Sequence, residues 1–148
     1  MNKFPDFKLE NQNGETVSNE DLKDVTVIYF YPRDNTPGCT TQACDMRDAM
    51  DDLKDLNVTV YGVSGDSKKK HQNFIAKNEL NFDLLVDEDF ELAKELDVYR
   101  LKKSFGKESM GIVRTTFVVD DNSNILKRMD NVKAKSHAED LKAFLQEV

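Results

Sequence analysis

Cys39 and Cys44 are the only two cysteines of the chain, and they stand five positions apart in YPRDNTPGCTTQACDMRD, residues 31–48. An ionised thiol is a strong nucleophile, so the first question is what would ionise either of them. After the Pro37-Gly38 turn, Ala43, Met46, Met50, Leu53 and Leu56 recur at spacings of three and four, which predicts a helix with one apolar stripe. Cys39 falls in the first turn of that helix, where unpaired N–H groups and the positive dipole end favour a thiolate. Cys44 lies at least a turn further on and gains little from the dipole. The two sulfurs are therefore unequal, with Cys39 the natural nucleophile and Cys44 the natural second thiol. Asp34, Asp45 and Asp48 oppose a thiolate there, so a cation is required. Arg33, Arg47 or a residue remote in sequence could supply it.

In an intact helix, residues five apart differ by about 140° in azimuth and about 7.5 Å in rise, which puts their Cα atoms roughly 8.7 Å apart. A disulfide needs them within about 7 Å. Either the pair never bonds, or the bond comes with local unwinding. Other readings of the pair compete. Two cysteines are commonly just small buried hydrophobes. A zinc site wants four ligands, and the only histidines, His71 and His137, read as isolated in surface-like helices. A thioredoxin-type redox pair would be spaced Cys-x-x-Cys. A reactive cysteine with a second, resolving thiol uses all the features at once.

The elements that must position this pair alternate. FKLE reads as a short strand, followed by a turn at Asn13-Gly14, and Ser18 with Asp21 as a capping box. Val25–Tyr31 and Val58–Ser64 are β-branched and aromatic runs, hence buried strands. Ser67 caps a helix to about Asn78, FDLLVD is a third strand, and Asp87–Leu96 a short helix. A loop rich in Lys and Gly leads to the strand VRTTFVV, then to ILKRM paired antiparallel with it, and Ser136 opens a C-terminal helix. The pattern predicts one domain, residues 1–148, of α/β class: a mixed sheet with helices on both faces. Ligand sites in such folds lie at the carboxyl ends of parallel strands, which is where Cys39 follows Val25–Tyr31.

The net charge of −7 argues against a nucleic-acid footprint, and the Lys68–Lys70 run reads as a solvated helix start. No apolar run approaches the roughly 18 residues of a membrane span. MNKFPDFKLE has no apolar core like that of a signal peptide, so a cytoplasmic setting is expected. The six glycines form no phosphate-binding loop.

At YFYPRDNTPGCTTQACDMRD the chain resembles the peroxiredoxins of the bacterioferritin-comigratory, or Q, class, which are thiol peroxidases with a thioredoxin-like fold. The family motif Pro-x-x-x-Thr/Ser-x-x-Cys reads here as Pro32, Thr36 and Cys39, and the class places a second cysteine five residues on, at Cys44. PDFKLENQNGETVSNEDLKD is similar to the opening hairpin and helix of the class, GVSGDS to its second strand and loop, RTTFVVD to the strand carrying its distal arginine, and SHAEDLKAFL to its closing helix. The resemblance implies an N-terminal β-hairpin ahead of the central mixed sheet. It implies that Cys39 is peroxidatic and Cys44 resolving, that Thr36 and Arg114 bind the peroxide oxygens and the thiolate, and that Pro32 walls the pocket. Gln42 corresponds to a polar position of the class and joins the hydrogen-bond network. It further implies a hydroperoxide substrate, thioredoxin as reductant, a monomer, and no metal or organic cofactor.

Overall fold

The computed structural model describes residues 3–104 and 106–146, the side chains of Lys103 and Ser104 excepted. In chain order the elements are β1 (Lys8–Asn11), β2 (Thr16–Ser18), β3 (Val25–Phe30), α1 (Pro37–Asp55), β4 (Val58–Ser64), α2 (Lys68–Asn78), β5 (Asp83–Val86), α3 (Glu91–Glu95), β6 (Tyr99–Ser104), β7 (Lys107–Ile112), β8 (Thr115–Asp120), β9 (Ile125–Met129) and α4 (His137–Gln146). Seven strands form one mixed sheet in the order β2-β1-β5-β4-β3-β8-β9. Strands β3, β4 and β5 run parallel, and the hairpins β1–β2 and β8–β9 extend the sheet antiparallel on either side. The expected α/β architecture, thioredoxin-like with an N-terminal hairpin, is thus the one observed.

Strand β3 shows why both faces are covered. Successive side chains point to opposite sides of a sheet. Val27, Tyr29 and Tyr31 pack with Ala43, Met46, Met50 and Leu53 of α1, Phe74 of α2, and Leu141 and Leu145 of α4. Ile28 and Phe30 pack on the other side with Phe4, Phe7, Leu92, Leu96 and Phe117. A strand buried on both faces reads as a continuous apolar run, and VTVIYF does.

Two expectations are corrected. The Lys- and Gly-rich loop contains a separate two-stranded hairpin, β6–β7, turning at Gly106 with φ +77. β7 is exposed from Lys107 to Met110 and the described side chains of β6 are half-buried apart from Leu101, so neither shows the alternation that marks a strand with one buried face; Leu101 and Met110 pair across the hairpin, both exposed. The helix expected over Asp87–Leu96 shortens to Glu91–Glu95, because Phe90 adopts a left-handed conformation (φ 57) and the Asp87 carboxylate takes the amides of Leu92 and Ala93. The Ser18–Asp21 capping box forms as expected, opening a single 3-10 turn.

Candidate active site

Helix α1 begins two residues earlier than a Pro-Gly turn would allow: Pro37 and Gly38 are its first two helical residues, and Thr36 is the extended N-cap. Proline at the first helical position has a favourable φ and no N–H to leave unpaired. The first intrahelical bond is Thr40 N–H to Thr36 O, so the amides of Gly38 and Cys39 have no helical acceptor. Gly38 serves the site by its lack of a side chain: a Cβ there would stand 2.7 Å from Nη2 of Arg114.

Arg114 immediately precedes β8, and its Nη1 donates both to Cys39 Sγ at 3.2 Å and to Gln42 Oε1 at 2.8 Å. Of the candidate cations, the remote one reaches the thiol; Arg47 instead bonds Asp48 and the Asn78 carbonyl. Cys39 is buried, 2% exposed, while Cys44 is half-buried with its thiol 3.8 Å from Asn78 Oδ1 at the end of α2. Both cysteines are free, and α1 runs unbroken through them. Thr36 donates its hydroxyl to the Arg33 carbonyl at 3.1 Å. Pro32 lines a depression with Arg33, Phe90, Lys102, Met110 and Ile112.

The structure thus brings Cys39, Gln42 and Arg114 into direct contact, sets Pro32 and Thr36 at the rim, and holds Cys44 apart against α2. Gln42, the least emphasised of the sequence candidates, is central. Its Nε2 faces His137 Nδ1 at 3.1 Å, and His137 Nε2 faces Thr116 Oγ1 at 2.8 Å.

Sequence reasoning missed the part that several further residues play around the site. Lys102 is half-buried with Nζ on the Ile112 carbonyl; burial pushes its ammonium down, Arg114 adds to this, and Cys39 opposes it. Both histidines are fully buried, which corrects their reading as surface positions. His71 Nε2 donates to the Leu85 carbonyl at 2.9 Å, and Nδ1 is hydrogen-bonded to Asp34 Oδ2 at 2.6 Å. The Tyr31 hydroxyl donates to Asp34 Oδ1, and the Asp34 amide donates to Asp66 Oδ2 at 2.7 Å. The loop between β3 and α1 is thereby tied to β4, α2 and β5. Asp34, Asp66 and His71 bring ligand-type atoms within 4.8 Å of one another, but those atoms are already engaged by these hydrogen bonds. No local signal could have found these pairings, since an amphipathic helix carries histidine on either face.

Burial lowers the His137 pKa from 6.5 to about 4, with Arg114 adding to the shift and Asp140 opposing it. Above 6.5 the ring is neutral folded or unfolded and adds no pH dependence. As pH falls from 6.5 toward 4, the unfolded chain takes up a proton that the folded chain refuses. Stability therefore declines across that window, by up to about 3 kcal/mol. Urea midpoints of the reduced protein should show this slope, and His137→Asn should lack that part of it; an equal slope in the variant would assign the acid sensitivity elsewhere.

Residues 1–128 match the AhpC/TSA family. The chain is 48% identical over 136 residues to the peroxiredoxin Bcp of Bacillus subtilis, covering 91% of this chain and 87% of that protein. It is 40% identical to the peroxiredoxin Bcp of Escherichia coli K12, covering 97% of this chain and 92% of that one. Its structure superposes with a TM-score of 0.89 on the Xanthomonas campestris bacterioferritin comigratory protein, described for alkyl peroxide reduction, at 33% identity and covering 95% of this chain and 90% of that one.

Proposed function

The chain belongs to the AhpC/TSA family, as a peroxiredoxin of the bacterioferritin-comigratory class, and on that premise we propose that Cys39 is the peroxidatic nucleophile of a thiol peroxidase and Cys44 its resolving thiol. The observation that carries this reading is the Arg114 guanidinium, held by Gln42 and donating to Cys39 Sγ at 3.2 Å.

A peroxide O–O bond breaks when a thiolate attacks one oxygen in line and the other leaves with negative charge. Charge moves from sulfur to the leaving oxygen, so donors fixed along that line favour the transition state over the ground state. Arg114 is permanently charged and presents a fork of donors that serves both ends. The free amides of the first turn of α1 add to it. Thr36, at the rim, donates to one peroxide oxygen by releasing the Arg33 carbonyl, and Pro32 keeps water from the pocket. The leaving oxygen takes a proton and departs as water or an alcohol, so hydrogen peroxide and organic hydroperoxides are both substrates.

Cys39 is left as a sulfenic acid. The Cys44 thiolate attacks that sulfur, hydroxide leaves as water, and an intrachain disulfide forms. Since α1 is continuous through both cysteines, the step requires unwinding between them. A dithiol protein, thioredoxin, then reduces the bond through a mixed disulfide. With the resolving thiol in the same chain and one domain carrying every step, the enzyme works as a cytoplasmic monomer without metal or organic cofactor.

Peroxide consumption coupled to thioredoxin, followed by peptide mapping and amide exchange of the two redox forms, tests the reading. The expected map joins Cys39 to Cys44 within one chain. Protection across residues 40–50 should fall sharply on oxidation while β3 and β4 keep theirs. A disulfide between chains, or equal protection of that segment with the intrachain bond confirmed, would refute the unwinding step.

A further inference from the structure

The hydrogen bonds behind the thiol form a directed chain through three elements. Arg114 has only donors, so the Gln42 oxygen must face it, and at 2.8 Å it does. The Gln42 amide nitrogen is then turned to His137 Nδ1 at 3.1 Å, which must be a bare acceptor. The single ring proton therefore sits on Nε2, donated to Thr116 Oγ1 of β8 at 2.8 Å. Gln42, Thr116 and His137 are all buried, so the bonds among these three are shielded from exchange for water.

We propose that His137, held as the Nε2–H tautomer by Thr116, is a positioning residue for the peroxide step, fixing the Arg114 guanidinium on Cys39 through the Gln42 amide. The inference rests on the peroxidase reading above. A bare Nδ1 leaves Gln42 one orientation. A proton there would face the Gln42 amide hydrogens, and turning the amide to relieve this would set its nitrogen against the guanidinium. The surroundings keep the ring neutral. Arg114 lies beyond Gln42 of α1, the Tyr29 ring of β3 packs at 5.4 Å, Thr116 approaches from β8, and the acidic Asp140 acts from α4 itself. Burial accordingly holds the His137 pKa near 4, well below neutrality.

Two variants separate positioning from mere packing. His137→Phe keeps a ring but has no acceptor, whereas His137→Asn places an oxygen near the Nδ1 position. Stopped-flow oxidation of the reduced protein by one addition of hydrogen peroxide should be slowed about tenfold or more in His137→Phe, the scale on which groups that orient a reacting side chain act. His137→Asn should recover most of the rate, and ultraviolet thiolate absorbance at neutral pH should follow the same order. Imidazole nitrogen shifts of the reduced parent protein should report Nε2 protonated and Nδ1 bare. A parental rate in His137→Phe, or an Nδ1–H tautomer in the parent, would overturn the proposal. Should His137→Phe not fold, the tautomer decides alone. A parent protein whose Cys39 does not react with peroxide at all sinks the peroxidase reading instead.

Discussion

Cys39→Ser should abolish peroxide turnover, while Cys44→Ser should leave a single oxidation intact and stop recycling by thioredoxin. This asymmetry is the largest functional effect expected of any substitution in the chain. Cys39 is the sulfur in the first turn of α1, within reach of Arg114, and a serine hydroxyl in its place is not ionised at neutral pH. Cys44 is turned to Asn78 on α2, whereas Cys39 is bonded by Arg114, so removing the Cys44 sulfur should leave the Cys39 thiol and its donor in place. The sulfenic acid then has no partner in the chain and persists, or advances to sulfinic acid under excess peroxide. Stopped-flow oxidation and thioredoxin-coupled turnover on the two variants check both halves. Loss of the first oxidation in Cys44→Ser, with Cys39→Ser still active, would reverse the two roles.

The largest expected effect on stability comes from the Asp34–His71 pair, whose side chains are 1% and 0% exposed. Replacing one member of a buried, hydrogen-bonded ionisable pair leaves its partner unpaired and typically costs about 3–5 kcal/mol. His71→Phe removes the bonds to both Asp34 and the Leu85 carbonyl and should lower the Tm of the reduced protein by roughly 10 °C. The half-exposed Lys68–Glu10 pair, at 3.3 Å, is the control: Glu10→Gln should change stability by less than about 1 kcal/mol. Equal, small effects of both substitutions in thermal and urea unfolding would mean that the buried network does not hold the loop. Because Asp34 lies between Pro32 and Thr36, the His71→Phe protein should also react more slowly with peroxide while its α1 remains folded.

The strands were legible because their signals are local. Val58–Ser64 has the bounds read from its composition, and Val25–Phe30 falls one residue short of its expected end. The Ser67 cap and the run to Asn78 were equally visible, since a cap and a helical period lie within a few residues of each other. The β6–β7 hairpin was not, because a solvent-facing hairpin has no buried face to impose alternation. The start of α1 was misplaced by reading Pro37-Gly38 as a turn. Proline suits the first helical position equally well, and the need for glycine next to it arises from Arg114, far along the chain.

The same division runs through the site. The amino-acid order singles out Cys39 and its second thiol, sets them in one helix, and demands a cation without saying which. Arg114 was named only through family resemblance; it lies 75 residues from Cys39, and folding β8 beside β3 is what brings it there. Gln42 owes its place at the centre to Arg114 on one side and to His137, 95 residues away, on the other. Helical periodicity records which face of a helix is apolar, but a histidine satisfies a buried face or a wet one depending on the partners waiting there. Those partners, Asp34 and Leu85 for His71, Gln42 and Thr116 for His137, come from other elements, so their burial was settled only when the chain closed on itself.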